Sequence, residues 1–254
     1  MFSFHLYGLI IGLSISLAIY TIEYQTKRHS LESAAIWSII IWATIGGVLG
    51  ARTYHVITDW QYYQNNWLDI LKIWQGGLGI IGAVAGGWVG SFLYFKLIKK
   101  DTALMWKWLD IAVFGLPFAQ ALGRWGNFVN QELYGLPTNL PWGIYIEERF
   151  RLPTYLNFGK FHPLFAYESI LMLLFGVFVW LVDKNKNISL GSGNLFLIYI
   201  FYYALIRFWL EFLRVDKVEI LVGLDINQLV VLSILLISGL IIFDRSRKEI
   251  FHLQ

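Results

Sequence analysis

Seven predominantly apolar stretches, at about residues 6–24, 34–57, 76–95, 107–123, 163–182, 193–213 and 226–243, limit this chain to very few folds. A helix needs about 20 apolar residues to cross a hydrocarbon core about 30 Å thick. Inside that core a backbone amide finds no partner outside its own helix or a closed barrel. A mean hydropathy of +0.57 and only 15% charged residues agree with a lipid-embedded chain. The expected fold is therefore all-α and polytopic, one transmembrane domain over 1–254 with seven spans. The fourth stretch carries Asp110 and Pro117 and reads as a kinked or partly re-entrant helix. The first lacks a basic segment before it and a small-residue cleavage site after it, so it reads as a retained span.

The basic residues set the orientation. With the N-terminus outside, Lys27, Arg28, Lys96, Lys99, Lys100, Lys107, Lys184, Lys186, Arg245, Arg247 and Lys248 fall in or beside cytoplasmic loops, eleven of the twenty. The C-terminus is then inside. The polar stretch of about 127–162, punctuated by Pro137, Pro141 and Pro153, becomes a small extracytoplasmic cap. The aromatic segment of about 58–75 becomes an interfacial arm.

Several function classes drop out. A net charge of +3 with scattered basic residues makes no nucleic-acid surface. With no cysteine, the chain has no disulfide, thiolate metal site or thiol nucleophile of its own, so any thiol comes from a partner. No metal-ligand spacing is present and no cofactor is expected. The last span has no lysine for a retinal Schiff base.

Charges at membrane depth are expensive and mark function. Tyr203, Arg207 and Glu211 recur at four-residue spacing and share one helix face, with Arg214 a turn beyond. The bland alternative is an internal Arg207–Glu211 pair that only holds a bundle; Arg52, Asp110, Arg124, Glu132 and Glu168 argue for more. The segment Gly123 to Gly135 sets Arg124 beside Gly126, Asn127, Asn130 and Glu132. A planar guanidinium next to amide donors suits a phosphate or a carboxylate, although a glycine-punctuated, Asn-capped helix end has the same look. His162 before Pro163, with Tyr167 and Glu168 one turn on, is a candidate for the outer cavity; His5 and His55 are weaker ones. Gly46, Gly47 and Gly50, and Gly82, Gly86, Gly87 and Gly90, have the spacing of closely packed helices.

Gly123 to Gly135 resembles the signature of the bacterial prolipoprotein diacylglyceryl transferases. Tyr7-Gly8, Gly50-Ala51-Arg52, the glycine-rich third span, Asp110, His162-Pro163, Tyr167-Glu168 and Tyr203 through Arg214 resemble further family elements in order, over nearly the whole chain. The resemblance implies a seven-helix enzyme of the bacterial inner membrane. Its partners would be phosphatidylglycerol and the lipobox cysteine of a preprolipoprotein signal peptide; the products would be a thioether and glycerol phosphate. It implies that Arg124 and Arg207 are essential, with Glu132, Glu211 and Tyr203 in the catalytic group. Tyr7, Arg52, Asp110, Asn127, Asn130, Gly135 and His162 would contact substrate.

One position departs from the family. Many members carry histidine or tyrosine where this chain has Ile81, which can neither take a proton nor position a thiol. A thiol of pKa about 8.5 is roughly a tenth ionised near pH 7.5, and two nearby arginines favour the thiolate further. The expectation is an active enzyme whose thiolate is favoured electrostatically. Two other readings use the same arginines: a transporter of an anionic solute, for which no repeat of halves is evident, and an inactive lipid-binding relative, supported by Ile81 alone.

Overall fold

The computed structural model describes residues 6–185, 188–217, 219–221 and 223–252; His5 and Lys186 lie outside them. In chain order the helices are α1 (Leu6–Arg28), α2 (Ala34–Thr58), the single turn α3 (Trp60–Tyr63), α4 (Ile80–Leu93), α5 (Ala103–Ala112), α6 (Leu116–Val129), α7 (Leu164–Val182), α8 (Asn194–Glu211) and α9 (Ile226–His252). Short strands β1 (Ile144–Tyr145) and β2 (Lys160–Phe161) pair antiparallel, as do β3 (Glu219–Leu221) and β4 (Leu224–Asp225).

Six helices among the described residues are long and apolar enough to cross a bilayer: α1, α2, α4 with its continuation to Lys99, α7, α8 and α9 as far as Arg247. The expected fourth span is two shorter helices instead of one. Successive turns over residues 110–115, closed by Val113, Phe114 and Gly115 amides on the carbonyls of Asp110, Ile111 and Ala112, end α5. Pro117 then sits in the first turn of α6, where the missing amide proton has no helical partner to lose.

The chain forms two compact units, residues 26–108 and residues 1–25 with 109–254. In the first, α2 and α4 lie backbone to backbone. A Cβ added to Gly50 would stand 2.3 Å from the Gly82 carbonyl oxygen, and one on Gly46 would stand 2.3 Å from that of Gly86. The four-residue glycine spacing on both helices is what permits this approach. Between them runs the aromatic segment that follows α2, with Trp60, Tyr62, Trp67, Leu71 and Trp74 all exposed.

In the second unit α6, α7 and α8 enclose a core of Val113, Phe114, Met172, Phe175, Tyr199, Ile206 and Leu210. Polar ties between helices stitch this core: Ser169 Oγ donates to the Ala121 carbonyl at 2.7 Å, and the Tyr202 hydroxyl to the Leu171 carbonyl at 3.0 Å. Between α6 and α7 the chain makes a small lobe around Tyr134, Ile146 and Phe161, closed by the β1–β2 pair. Its inner edge is sewn to the end of α8. Gly135 donates to the His162 carbonyl at 2.8 Å and Leu136 to the Leu213 carbonyl at 2.7 Å.

Candidate functional site

Three helices of the second unit bring their charges to one place. Glu168 on α7 is 2% exposed, and it divides its carboxylate between two arginines. Its Oε1 accepts from Arg124 of α6 at 2.5 Å and its Oε2 from Arg207 of α8 at 3.2 Å. Arg207 also reaches Glu211 one turn on, at 3.0 Å, and Glu211 takes Arg214 at 2.8 Å on its other oxygen. Arg214 finally grips Asp216 with both Nε and Nη2. Signs therefore alternate from Arg124 through Glu168, Arg207, Glu211 and Arg214 to Asp216, and the six charges cancel.

The local reasons are legible. Four-residue spacing puts Tyr203, Arg207 and Glu211 on one stripe of α8, and Tyr203 stands within electrostatic reach of Glu168, Arg207 and Arg124. Glu168 is pinned because its neighbour Ser169 ties α7 to α6. A buried carboxylate left without its partners would cost about 3–5 kcal/mol, so the two guanidiniums hold Glu168 as firmly as it holds them. Beyond the membrane-spanning part of α8, burial pushes the Asp216 carboxyl up, but the Arg214 guanidinium outweighs this and holds it below the usual carboxylate range.

The other expected residues divide. Asn127 accepts from Arg124 at 3.4 Å and donates to Glu132 at 2.9 Å, and Asn130 donates to the same oxygen at 3.4 Å. Glu132 thus reaches Arg124 through Asn127, whereas Glu211 touches Arg207 directly. The Tyr7 ring packs over Gly126, where an added Cβ would stand 2.9 Å from it. Gly135 has no room for a side chain either, with the Leu213 carbonyl 2.8 Å and the His162 Cβ 2.9 Å from an ideal Cβ. His162 Nδ1 lies 3.0 Å from the Tyr167 hydroxyl, which also accepts from the Trp142 indole at 2.9 Å.

Two expected substrate contacts are engaged in building the fold. Asp110 is fully buried and accepts the backbone amides of Gly191, Gly193 and Phe196 at 2.9, 2.9 and 3.1 Å. It thereby satisfies the open N-terminus of α8, about 20 Å along the helix from Arg207. Arg52, in the other unit, is buried and donates to the carbonyls of Ile70, Gly76 and Gly77 at 2.8, 2.8 and 3.0 Å, and to that of Asp69, with its guanidinium over the Tyr63 ring. Ile81 sits in the first turn of α4 and is exposed.

Sequence reasoning left Glu168 and Asp216 out of the site. An intramembrane carboxylate is itself a signal, and Glu168 carried it, but its role depends on two other helices.

Arg207 commits two of its five N–H donors to these carboxylates. Two guanidiniums spaced by one carboxylate have the donor geometry to take a second, tetrahedral anion, and a half-buried setting strengthens such a contact.

Comparison with known proteins bears on which anion. A family model described as prolipoprotein diacylglyceryl transferase matches residues 1–243. The phosphatidylglycerol--prolipoprotein diacylglyceryl transferase 1 of Streptomyces coelicolor is 36% identical over 248 residues, 96% of this chain and 69% of that protein. The phosphatidylglycerol--prolipoprotein diacylglyceryl transferase of Nostoc sp. is 36% identical over 230 residues, 89% of this chain and 80% of that protein. The Thermotoga maritima protein of the same name is 37% identical over 219 residues, 86% and 73% of the two chains.

Proposed function

Because the chain belongs to the prolipoprotein diacylglyceryl transferase family, we propose that the Arg124–Glu168–Arg207 cluster is where it binds the phosphodiester of phosphatidylglycerol. The chain is an enzyme of lipoprotein maturation and catalyses its first step, diacylglyceryl transfer to a prolipoprotein. The observation that carries the site assignment is the convergence of two arginines from separate helices on one buried carboxylate.

The acceptor is the lipobox cysteine of the signal peptide, since this chain has no thiol. Its thiolate attacks the glycerol carbon that bears the phosphate, a C–S bond forms, and the C–O bond to phosphate breaks. Glycerol phosphate leaves with the bonding pair, and the thiol proton goes to solvent. Arg124 and Arg207 stabilise the charge that grows on the departing oxygen. Glu168 and Glu211 fix the guanidiniums directly, and Glu132 acts on Arg124 through Asn127. Tyr203 completes the lining beside the arginines. Tyr7, Gly135 and His162 shape the mouth, and Asp110 supports substrate binding through α8; Arg52 holds the arm of the other unit. The thiolate needs no base at position 81, because two cations stand beside it.

In the membrane, α5 and α6 together supply the seventh crossing. The N-terminus faces outward from the bacterial inner membrane, the C-terminus is cytoplasmic, residues 58–75 lie on the outer interface and residues 127–162 cap it.

The test is purified protein in phosphatidylglycerol vesicles with a cysteine-bearing lipobox peptide, read by mass for the diacylglyceryl thioether and by release of glycerol phosphate. Solute flux without peptide modification would overturn the reading in favour of transport. Lipid binding with neither would make the chain an inactive relative. Ile81→His should change the rate less than about a hundredfold, since ionising the thiol costs only about 1.4 kcal/mol.

A further inference from the structure

A cavity of about 560 Å³ opens between the ends of α6 and α8, and none of the residues described so far as gripping phosphate lines it. It is lined by Asn130, Gln131 and Glu132 from the segment after α6, by Val215 and Asp216 from the segment after α8, and by Leu152 of the lobe. Its size falls within the ordinary range for ligand sites, about 300–1,000 Å³. Both acidic walls are wired to the arginines. Glu132 holds Asn127, which touches Arg124; Asp216 holds Arg214, which holds Glu211 and through it Arg207. Two lining residues are thus joined to the two arginines by unbroken chains of hydrogen bonds and ion pairs.

The lining says what that occupant is. No lysine or arginine lines the cavity among the described residues, and two carboxylates do, Asp216 already paired with Arg214 and Glu132 with no cation, so the lining disfavours a phosphate or an anionic headgroup. Carboxylates and amides suit N–H donors, and Leu133, Leu152 and Val215 offer apolar surface to side chains. Glu132 Oε1 takes both asparagines while Oε2 has no hydrogen bond or ion pair to a described residue.

The wall is also held rigidly. Gln131 and Leu133 have φ of +52° and +54°, a left-handed conformation that costs non-glycine residues energy. Gln131 is locked there by donating to the Glu147 carboxylate at 3.1 Å and accepting the Glu147 amide at 2.7 Å.

We propose that this cavity binds the polypeptide substrate itself, the extended segment immediately after its cysteine, as that segment leaves the membrane next to the arginines. The assignment rests on the transferase reading above and adds the place of the second substrate.

A peptide with the photo-crosslinker benzoylphenylalanine directly after the lipobox cysteine, irradiated with the wild-type chain in phosphatidylglycerol vesicles, should give adducts within residues 129–134, 150–152 or 215–216. Val215→Trp, which adds bulk to the lining at a residue that is not itself a member of the charged relay, should raise KM for the peptide about tenfold and leave KM for phosphatidylglycerol unchanged. Normal lipidation with adducts confined to other segments, or an unchanged peptide KM, would overturn the assignment. A raised lipid KM with an unaltered peptide KM would turn the cavity into a headgroup site and overturn it equally. If the wild-type chain lipidates no lipobox peptide at all, the transferase reading fails first.

Discussion

Arg52 and the Arg124–Arg207 pair are guanidiniums in apolar helices, and on sequence alone they look alike. Their acceptors separate them. Arg52 gives its donors to four backbone carbonyls, neutral groups that no incoming anion can replace. Arg124 and Arg207 share a carboxylate, and in the function proposed above their remaining donors take a second anion. A membrane arginine saturated by carbonyls builds structure, whereas one balanced by a carboxylate is poised to trade or add an anionic partner.

The sharpest break of this contrast is Arg→Ala at all three sites. Arg124→Ala and Arg207→Ala should each remove the diacylglyceryl mass increment, a loss on the order of 10²–10³ in kcat or more. Arg52→Ala should keep kcat within about tenfold but lose roughly 2 kcal/mol or more of stability, since hydrogen bonds from a charged group are worth about 1.5–3 kcal/mol each. Loss of transfer in Arg52→Ala with an unchanged melting temperature would collapse the distinction.

Next in size is Glu168→Gln. Neutral amide in place of carboxylate loosens both guanidiniums, so kcat should fall about 10–100-fold while KM for phosphatidylglycerol does not rise. A raised KM at unchanged kcat would mean that Glu168 serves only ground-state binding.

Gly77→Ala probes the carbonyl side. Gly77 has φ of +69°, and an added Cβ would lie 2.4 Å from the His55 ring and 2.7 Å from Arg52 Nη1. About 1–3 kcal/mol of destabilisation and faster proteolysis within residues 60–75 should follow, and an unchanged protease pattern would show that the turn does not depend on this grip.

The smallest effect is expected of Asp110→Asn, the carboxylate counterpart of Arg52. Losing charge at the α8 N-terminus should cost about 1–2 kcal/mol in thermal unfolding with little change in kcat. A kcat loss without a stability loss would return Asp110 to the substrate.

What could be read from the chain depended on how far apart the partners lie. Tyr203, Arg207 and Glu211 were visible because a helical period is local, and the glycines of α2 and α4 because their repeat is. Glu168 was visible as a charge but its role was not, since that comes from Arg124, 44 residues earlier, and Arg207, 39 later. What Asp110 holds was hidden for the same reason: the amides it caps are 81 to 86 residues away. Length and hydropathy located the fourth stretch, but its division into α5 and α6 rests on turns that no hydropathy window sees. The strained backbone at Gln131 and Leu133 has no composition signature, because neither residue is a glycine.

The alternating row of charges also constrains how the protein is made. Its signs are spread over three helices, Arg124 on α6, Glu168 on α7, and Arg207 with Glu211 on α8. A lone arginine at the centre of an inserting helix costs about 2.5–3.5 kcal/mol, and synthesis delivers Arg124 first, with its counter-ion 44 residues behind. If α6 enters the bilayer as proposed above, its arginine becomes cheap to bury only when α7 supplies Glu168, and α8 then follows carrying one internal pair. A chain cut between α6 and α7 should then be held at the translocon or degraded, while one cut after α8 should insert; equal insertion of both would separate the row of charges from assembly.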